Sequence, residues 1–293
     1  MKCRAVLIAG AVIVNWGCQM QPTRGGALAK VVEVLPVAHE PEYVIGFPVY
    51  VALTVRARPD AALSAVAFAD LLDLRESIGL EMVRRGGGDS VSYEPSPRPT
   101  GDERPKGDRL EPGETRRMLT DISPLVGRGV SEGEYDVRLS WVAAGEIYDA
   151  PPVALRFRRP TSSEAARLAL VAPDRAQYPT WSAWTRTCSE APLAAGEVTA
   201  ENRLALNLLL RRLFCSPIPP ERADPSMLDA LGGLYAPERD ALKAELYQAR
   251  GDTARFRALR EEVVGATPGL AWWMQMLDGG GGYVASFRNP VAR

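Results

Sequence analysis

The stretch Tyr135-Asp136-Val137-Arg138-Leu139-Ser140-Trp141 decides the fold class of the first half of the chain. Its apolar residues recur at every second position, and the residues between them are polar. Because successive side chains of a strand point to opposite faces, this period of two predicts a strand with one buried face. The same alternation recurs over 49–55 and 153–158, and more weakly over 29–35, 64–71, 78–83 and 116–122.

About seven short strands within residues 28–160 predict an antiparallel β-sandwich, in which each sheet buries one face against the other. The segments Leu110–Glu114 and Gly133–Val137 resemble the later strands of immunoglobulin-like and fibronectin-III-like domains of bacterial envelope proteins. In that family, a tyrosine at the start of the penultimate strand bonds the backbone a few residues upstream and forms a tyrosine corner. The resemblance implies this structural role for Tyr135.

The alternation stops over residues 84–109. Gly86-Gly87-Gly88 and several prolines fall in this range, and such a composition buries too little apolar surface to offset the entropy lost on ordering. The range is predicted to be a long loop or a disordered insertion.

After Pro160 the apolar residues follow the period of helices. Leu206, Leu209, Leu210 and Leu213 predict an amphipathic helix over 199–215. Further helices are predicted over 162–171, 180–189, 226–231, 238–250 and 253–264. The sequence therefore predicts an α+β chain of two domains, an all-β immunoglobulin-like sandwich over 28–160 and an all-α domain over 161–278, followed by a glycine-rich tail over 279–293.

The last two predicted helices, joined at Gly251, resemble one unit of a tetratricopeptide repeat. Ala244, Tyr247, Gly251 and Pro268 lie at roughly matching spacing, whereas Phe256 stands where the family prefers alanine. A solenoid needs about three such units. We therefore interpret the segment as one repeat-like hairpin within a compact helical domain.

The first 17 residues predict an export signal, with basic residues at Lys2 and Arg4 followed by an apolar run that is too short to span a bilayer. Residues 15–18, Asn-Trp-Gly-Cys, resemble the lipobox of bacterial lipoproteins, although the Asn and Trp depart from its pattern. The resemblance implies that Cys18 is lipidated and becomes the mature N-terminus, with 18–27 as a tether. The alternative is plain secretion after a cut near Ala27-Leu28-Ala29. Either outcome places the mature chain outside the cytoplasm, in the periplasm, on the membrane or secreted.

Composition and motifs exclude several function classes. Lysine plus arginine number 35 and aspartate plus glutamate number 36, without long blocks of one sign, so no nucleic-acid partner is expected. The chain has one histidine, His39, and so lacks the ligands of a multi-histidine metal site. No cofactor, metal or catalytic residue is predicted.

Two sets of residues are candidates for glycan chemistry. The acids Glu132, Glu134 and Asp136 alternate near a strand start and could form a glycosidase pair, but a solvated sheet face is the preferred interpretation. The tryptophan pairs 181/184 and 272/273 could stack on sugars, but within helices they are more typical of a core.

Two cysteines remain once Cys3 and Cys18 are assigned to the signal and its end. Even cysteine counts outside the cytoplasm predict a disulfide, here between Cys188 and Cys215. Closing a loop of about 28 residues would contribute roughly 3–4 kcal/mol on a chain-entropy basis. The alternative is two buried thiols that act as small apolar residues.

The expected function is that of a non-catalytic protein of the cell envelope that binds or scaffolds. Its partner would be an envelope protein or a cell-wall component, and it would meet the membrane only through a lipid anchor. Two alternatives stay open from the sequence. One is an envelope glycan hydrolase of the carboxylate type, and the other is a secreted inhibitor that presents the 84–109 loop.

Overall fold

The computed structural model describes residues 23–24, 32–59, 78–93, 111–126, 130–143, 146–171 and 224–278. This part of the chain contains two β-sheets and a C-terminal group of helices, so its fold class is α+β. The strands are β1 Thr23–Arg24, β2 Val32–Val34, β3 Ala38–His39, β4 Tyr43–Val44, β5 Tyr50–Ala57, β6 Ile78–Arg84, β7 Ser90–Tyr93, β8 Thr115–Asp121, β9 Gly133–Ala143, β10 Glu146–Asp149 and β11 Val153–Arg158. The helices are α1 Ser123–Val126, α2 Ser162–Val171, α3 Ala236–Ala249, α4 Thr253–Ala266 and α5 Ala271–Asp278, with 3₁₀ turns at Pro225–Ala230, Gly233–Tyr235 and Pro268–Leu270.

The larger sheet is organised around β9, the longest strand of the described residues. One side of β9 pairs with β6, which in turn pairs with β7. The other side pairs with β11 along its first half and with β10 along its second half. Pro151 and Pro152 separate β10 from β11, because proline has no N–H to donate to a sheet. Two short strands complete this sheet in parallel register, β1 on β10 and β4 on β11.

The smaller sheet is centred on β5. One edge of β5 pairs with β2 and β3, and the other pairs with β8 over seven residues. Buried residues of both sheets and of the C-terminal helices belong to one hydrophobic core. A hydrogen bond of 2.5 Å from the Tyr43 hydroxyl to the Tyr50 carbonyl also joins the two sheets.

Residues 224–278, called the helical segment from here on, lie against the smaller sheet. The rings of Tyr50 in β5 and Tyr235 in the helical segment meet edge to face, with centroids 6.1 Å apart. Alternation alone predicts that Tyr50 and Ala52 face solvent, opposite Val51 and Leu53. Both are buried instead, because the helical segment covers this second face of β5.

The helical segment contains a tight α3–α4 turn where the sequence predicts one. Gly251 adopts φ 75°, the left-handed conformation that glycine favours just after a helix end. The side chain of Asp252 then accepts a hydrogen bond from the Arg255 N–H and caps α4. Ala244 in α3 and Phe256 in α4 are both buried.

The prediction of a loop or disordered insertion over 84–109 is wrong for the first part of this range. Residues Ser90–Tyr93 form β7, paired with β6, and the intervening turn uses the three glycines 86–88 at positive φ. Alternation over four residues, with two serines, is too weak a signal to separate a strand from a loop. The rest of that range lies outside the described residues, as do the predicted strand 64–71 and the predicted helices 180–189 and 199–215.

Candidate functional site

The contact between β8 and the helical segment is the most elaborate polar site in the described residues. We call it the β8 seam, and it consists of Arg116, Arg117, Glu238, Gly269 and Trp272. One edge of β8 pairs with β5, and the other edge meets the 3₁₀ turn Pro268–Leu270 and α5. The indole N–H of Trp272 donates to the Arg117 carbonyl over 3.3 Å, so a side chain from the helical segment supplies a donor to this strand edge.

Arg117 and Glu238 form an ion pair across the seam. The Arg117 Nε lies 2.7 Å from Glu238 Oε1 and its Nη2 lies 3.3 Å from Oε2, while Nη2 also donates to the Leu234 carbonyl over 3.0 Å. The Glu238 side chain is 1% exposed and that of Arg117 is 15% exposed. Burial raises the pKa of Glu238 above its ordinary value, against the opposing attraction of the guanidinium.

Arg116 points to the opposite face of β8 from Arg117, because adjacent strand residues alternate. Its Nε donates to Glu114 Oε1 over 2.6 Å, and its guanidinium carbon lies 5.9 Å from the ring centre of Trp272. This distance is within the range of a cation–π contact. Both arginines are therefore held by partners that keep their charges compensated.

Close backbone approach completes the seam at Gly269. A Cβ added there would lie 3.1 Å from Arg117 Cβ and 3.4 Å from the Arg117 backbone nitrogen. Glycine therefore favours this close approach, because any side chain at position 269 would press on Arg117. Edge strands that lack such cover are open to pairing with other chains.

A second buried acid holds α5 on α3. The Trp273 indole N–H donates to Glu245 Oε2 over 2.8 Å, and Glu245 is 3% exposed. Trp272 and Trp273 are both buried, as predicted for core residues. The indoles thus serve as structural donors within the helical segment and toward β8.

No protein-family model, curated protein or solved structure matches this chain. The arguments about function therefore depend on the residues and their geometry.

The acids singled out by the sequence lie on the outer face of the larger sheet. Glu134 and Asp136 are 54% and 57% exposed, and both pair with Arg85. Glu132 is also exposed and lies 3.4 Å from Arg159. The structure places these acids among arginines on a solvated surface, which is the interpretation preferred from the sequence.

Tyr135 lies at the start of β9 and is fully buried. Its hydroxyl accepts from the Ser131 N–H over 3.0 Å and lies 3.2 Å from the Ser131 carbonyl oxygen. Its ring meets Phe157 edge to face at 5.5 Å. The hydroxyl thus contacts the backbone four residues upstream and fixes the chain that enters β9.

The start of α2 is fastened to the larger sheet by Glu164. Its Oε1 and Oε2 accept hydrogen bonds from the two terminal nitrogens of Arg158, and Oε2 also accepts from the Thr161 N–H. Thr161 Oγ1 accepts from the Glu164 N–H in return, which makes a capping box. The hydrogen bond from Arg158 is the main reason that the pKa of Glu164 is lowered to about 2.

Several predicted residues lie outside the described part of the chain. They are Cys18, Cys188, Cys215, Trp181 and Trp184. Within the described ranges, no group of three or more His, Cys, Asp or Glu residues could hold a metal ion. None of the helices described is both long and apolar enough to cross a membrane.

The sequence carries only one weak sign of the β8 seam. Arg117 and Glu238 are separated by 121 positions. The local sequence around each of them predicts an ordinary exposed charge. The only local sign is the pair Arg116-Arg117 in a predicted strand, where one of two adjacent charges must point toward a packed face.

Proposed function

We propose that this chain is a non-catalytic, lipid-anchored protein of the cell envelope that binds or scaffolds an envelope protein or a cell-wall component. The observation that carries the proposal is the position of β1. Thr23 and Arg24 pair in parallel with Glu146 and Ile147 at the edge of the larger sheet. They therefore belong to the folded body.

The position of β1 bears on where the export signal is cut. A cut near Ala27-Leu28-Ala29 would remove β1 from the mature chain and leave β10 without its outer neighbour. A cut before Cys18 keeps β1. The pairing thus favours the lipoprotein interpretation, in which Cys18 carries the lipid and its amine becomes the N-terminus, over plain secretion.

The strand pairing also supports an immunoglobulin-like sandwich as the finer description of the fold. In that architecture, strand B pairs with E in one sheet and strand F pairs with C and G in the other. If β5, β6, β8 and β9 are strands B, C, E and F, the observed pairs β5–β8 and β6–β9 follow this scheme. Tyr135 then lies near the start of strand F, where a tyrosine corner is found.

A scaffolding role is supported by the β8 seam. The seam joins the helical segment to the smaller sheet through an ion pair, an indole hydrogen bond and a close glycine contact. Its buried charges are engaged in holding these elements together. Such a junction would hold the sheets and the helical segment in one relative orientation for a partner.

Mass analysis of the mature N-terminus tests the anchor. We expect an acylated cysteine at position 18 in the wild-type chain and loss of membrane association in Cys18→Ser. A free terminus at Lys30, or recovery from the cytoplasm with residues 1–17 intact, would contradict the proposal. If Cys18 is acylated, crosslinking in the native envelope followed by mass spectrometry identifies the partner.

A further inference from the structure

Helix α4 has one face in the core and the opposite face open to solvent. Phe256 and Val263 are buried and belong to the hydrophobic core. The residues about half a turn away from them, Ala254, Ala258 and Glu261, are all exposed. In the part of the chain that the structure describes, this outer face of α4 is therefore available to another molecule.

The charges of α4 are divided along its length. The exposed bases Arg255 and Arg257 lie in the first half of the helix. The exposed acids Glu261 and Glu262 lie in the second half, and there is no acid in the first turn and no base in the last. The helix dipole favours the reverse order, with acids near the N-terminus and bases near the C-terminus. The dipole of α4 therefore does not explain this arrangement.

Pairing within the chain also leaves some of these charges unused. The ion pairs of α4 within the described residues belong to Arg255 and Arg260. Arg257 and Glu261 take no part in them. These two residues are four positions apart, but an arginine on the N-terminal side of a glutamate is the weaker orientation of such a pair. Both side chains are thus free to meet charges on a second molecule.

A second copy of α4 in antiparallel orientation supplies the complementary charges. A two-fold axis near the middle of the helix brings the basic half of each copy beside the acidic half of the other. Arg257 then lies opposite Glu261 of the second copy on one flank of the contact. Arg255 lies opposite Glu262 of the second copy on the other flank. Because the contact is symmetric, each pairing occurs twice, and the small side chain of Ala258 between the flanks lets the two helices pack closely.

The size of this contact sets its strength. Helix α4 has 14 residues, and a rise of about 1.5 Å per residue makes it about 21 Å long. One helix against one helix buries less than the roughly 1,600 Å² of a standard protein interface. We therefore expect a reversible dimer that forms at high local concentration.

We infer that the outer face of α4 is a self-association surface, through which two copies of this chain form an antiparallel, reversible dimer. The inference is independent of the lipid anchor proposed above, since it depends only on the exposure and the charges of α4.

Charge reversal can test this surface in the full mature chain, purified in a non-ionic detergent. Sedimentation velocity over a concentration series measures self-association of the wild type, Arg257→Glu, Glu261→Arg and the chain with both changes. Each single change puts like charges opposite each other at two symmetric positions, so the dissociation constant should rise about tenfold or more. The double change exchanges the two charges and restores the match, so its dissociation constant should lie within about threefold of the wild-type value.

Two further samples complete the test. A mixture of the Arg257→Glu and Glu261→Arg chains pairs unlike charges in the heterodimer and should associate more strongly than either variant alone. Arg58→Glu is the matched control, because it makes the same charge change at an exposed arginine just after β5 and should leave self-association unchanged. A wild type that stays monomeric throughout the series, single changes without effect, or a double change that associates no better than the single ones would overturn the inference.

Discussion

The ion pair of the β8 seam yields the sharpest prediction. Two substitutions of Glu238 distinguish the loss of its charge from the loss of both oxygens that accept hydrogen bonds from Arg117. Glu238→Leu leaves Arg117 with the Leu234 carbonyl and without its two carboxylate contacts. Breaking a buried pair by removing one partner costs about 3–5 kcal/mol. Since Arg117 keeps one acceptor and is 15% exposed, we expect a loss near the lower end, about 3 kcal/mol.

Glu238→Gln is the matched control. It retains one oxygen that accepts from Arg117, removes the charge, and replaces the second acceptor oxygen with an NH2 group. Because burial outweighs the guanidinium in setting the pKa of Glu238, the ionised carboxylate gains little from the fold. We expect Glu238→Gln to cost about 1 kcal/mol or less at pH 7, as for a typical neutral hydrogen bond.

The pH dependence of this pair has a definite sign. A carboxyl whose pKa is raised on folding stabilises the protein fully below its unfolded pKa, and that contribution is lost as pH rises through the folded pKa. The stability of the wild type relative to Glu238→Gln should therefore fall as pH increases above the ordinary value of 4.5. Glu238→Gln itself should lack this dependence.

Urea unfolding followed by tryptophan fluorescence measures all three chains, since Trp272 and Trp273 lie at or beside the seam. Adding Arg117→Met to Glu238→Leu should cost less than the sum of the single changes by about 2–3 kcal/mol, because the two residues are in contact. A Gln variant as damaging as the Leu variant, or additive single effects, would refute this account of the seam.

Three further changes test other contacts. Gly269→Ala should destabilise the fold by about 1–2 kcal/mol in a thermal melt, because the new Cβ would crowd Arg117. Gly265→Ala is the control: it has open space around it in α4 and should be neutral or stabilise the fold by up to about 1 kcal/mol. Lowering the pH from 4.5 through about 2 should reduce the unfolding free energy of the wild type relative to Glu164→Gln, because the pKa of Glu164 is lowered to about 2 on folding. The expected effect is about 1–2 kcal/mol after solvent screening, and urea unfolding across this pH range measures it. Tyr135→Phe should cost about 1–3 kcal/mol in urea unfolding, because the Ser131 N–H loses its acceptor.

Each of these predictions can be contradicted separately. Equal effects of alanine at Gly269 and Gly265 would show that the turn has room beside β8. If the stability difference between the wild type and Glu164→Gln does not change below pH 4.5, Glu164 does not hold α2 on the larger sheet. A Tyr135→Phe variant as stable as the wild type would mean that water replaces the hydroxyl at Ser131.

The local sequence pattern was sufficient to predict the elements whose structure depends mainly on residues close in sequence. The alternation in 135–141 marks a strand that extends over Gly133–Ala143, and the predicted helix over 162–171 is observed as Ser162–Val171. The turn at Gly251 follows from a residue that adopts positive φ without steric cost. In each case the signal and the structure lie within the same few residues.

Long-range packing decided the rest. Alternation predicts one polar face for β5, but Tyr50 and Ala52 on that face are buried, because the helical segment, which includes Tyr235, covers this half of the strand. The seam pairs Arg117 with Glu238 across 121 positions, and β1 pairs with a strand that begins at Glu146. A sequence specifies the chemistry of each side chain. Which charges are buried together, and which short segments join a sheet, depend on contacts that form only when distant parts of the chain come together.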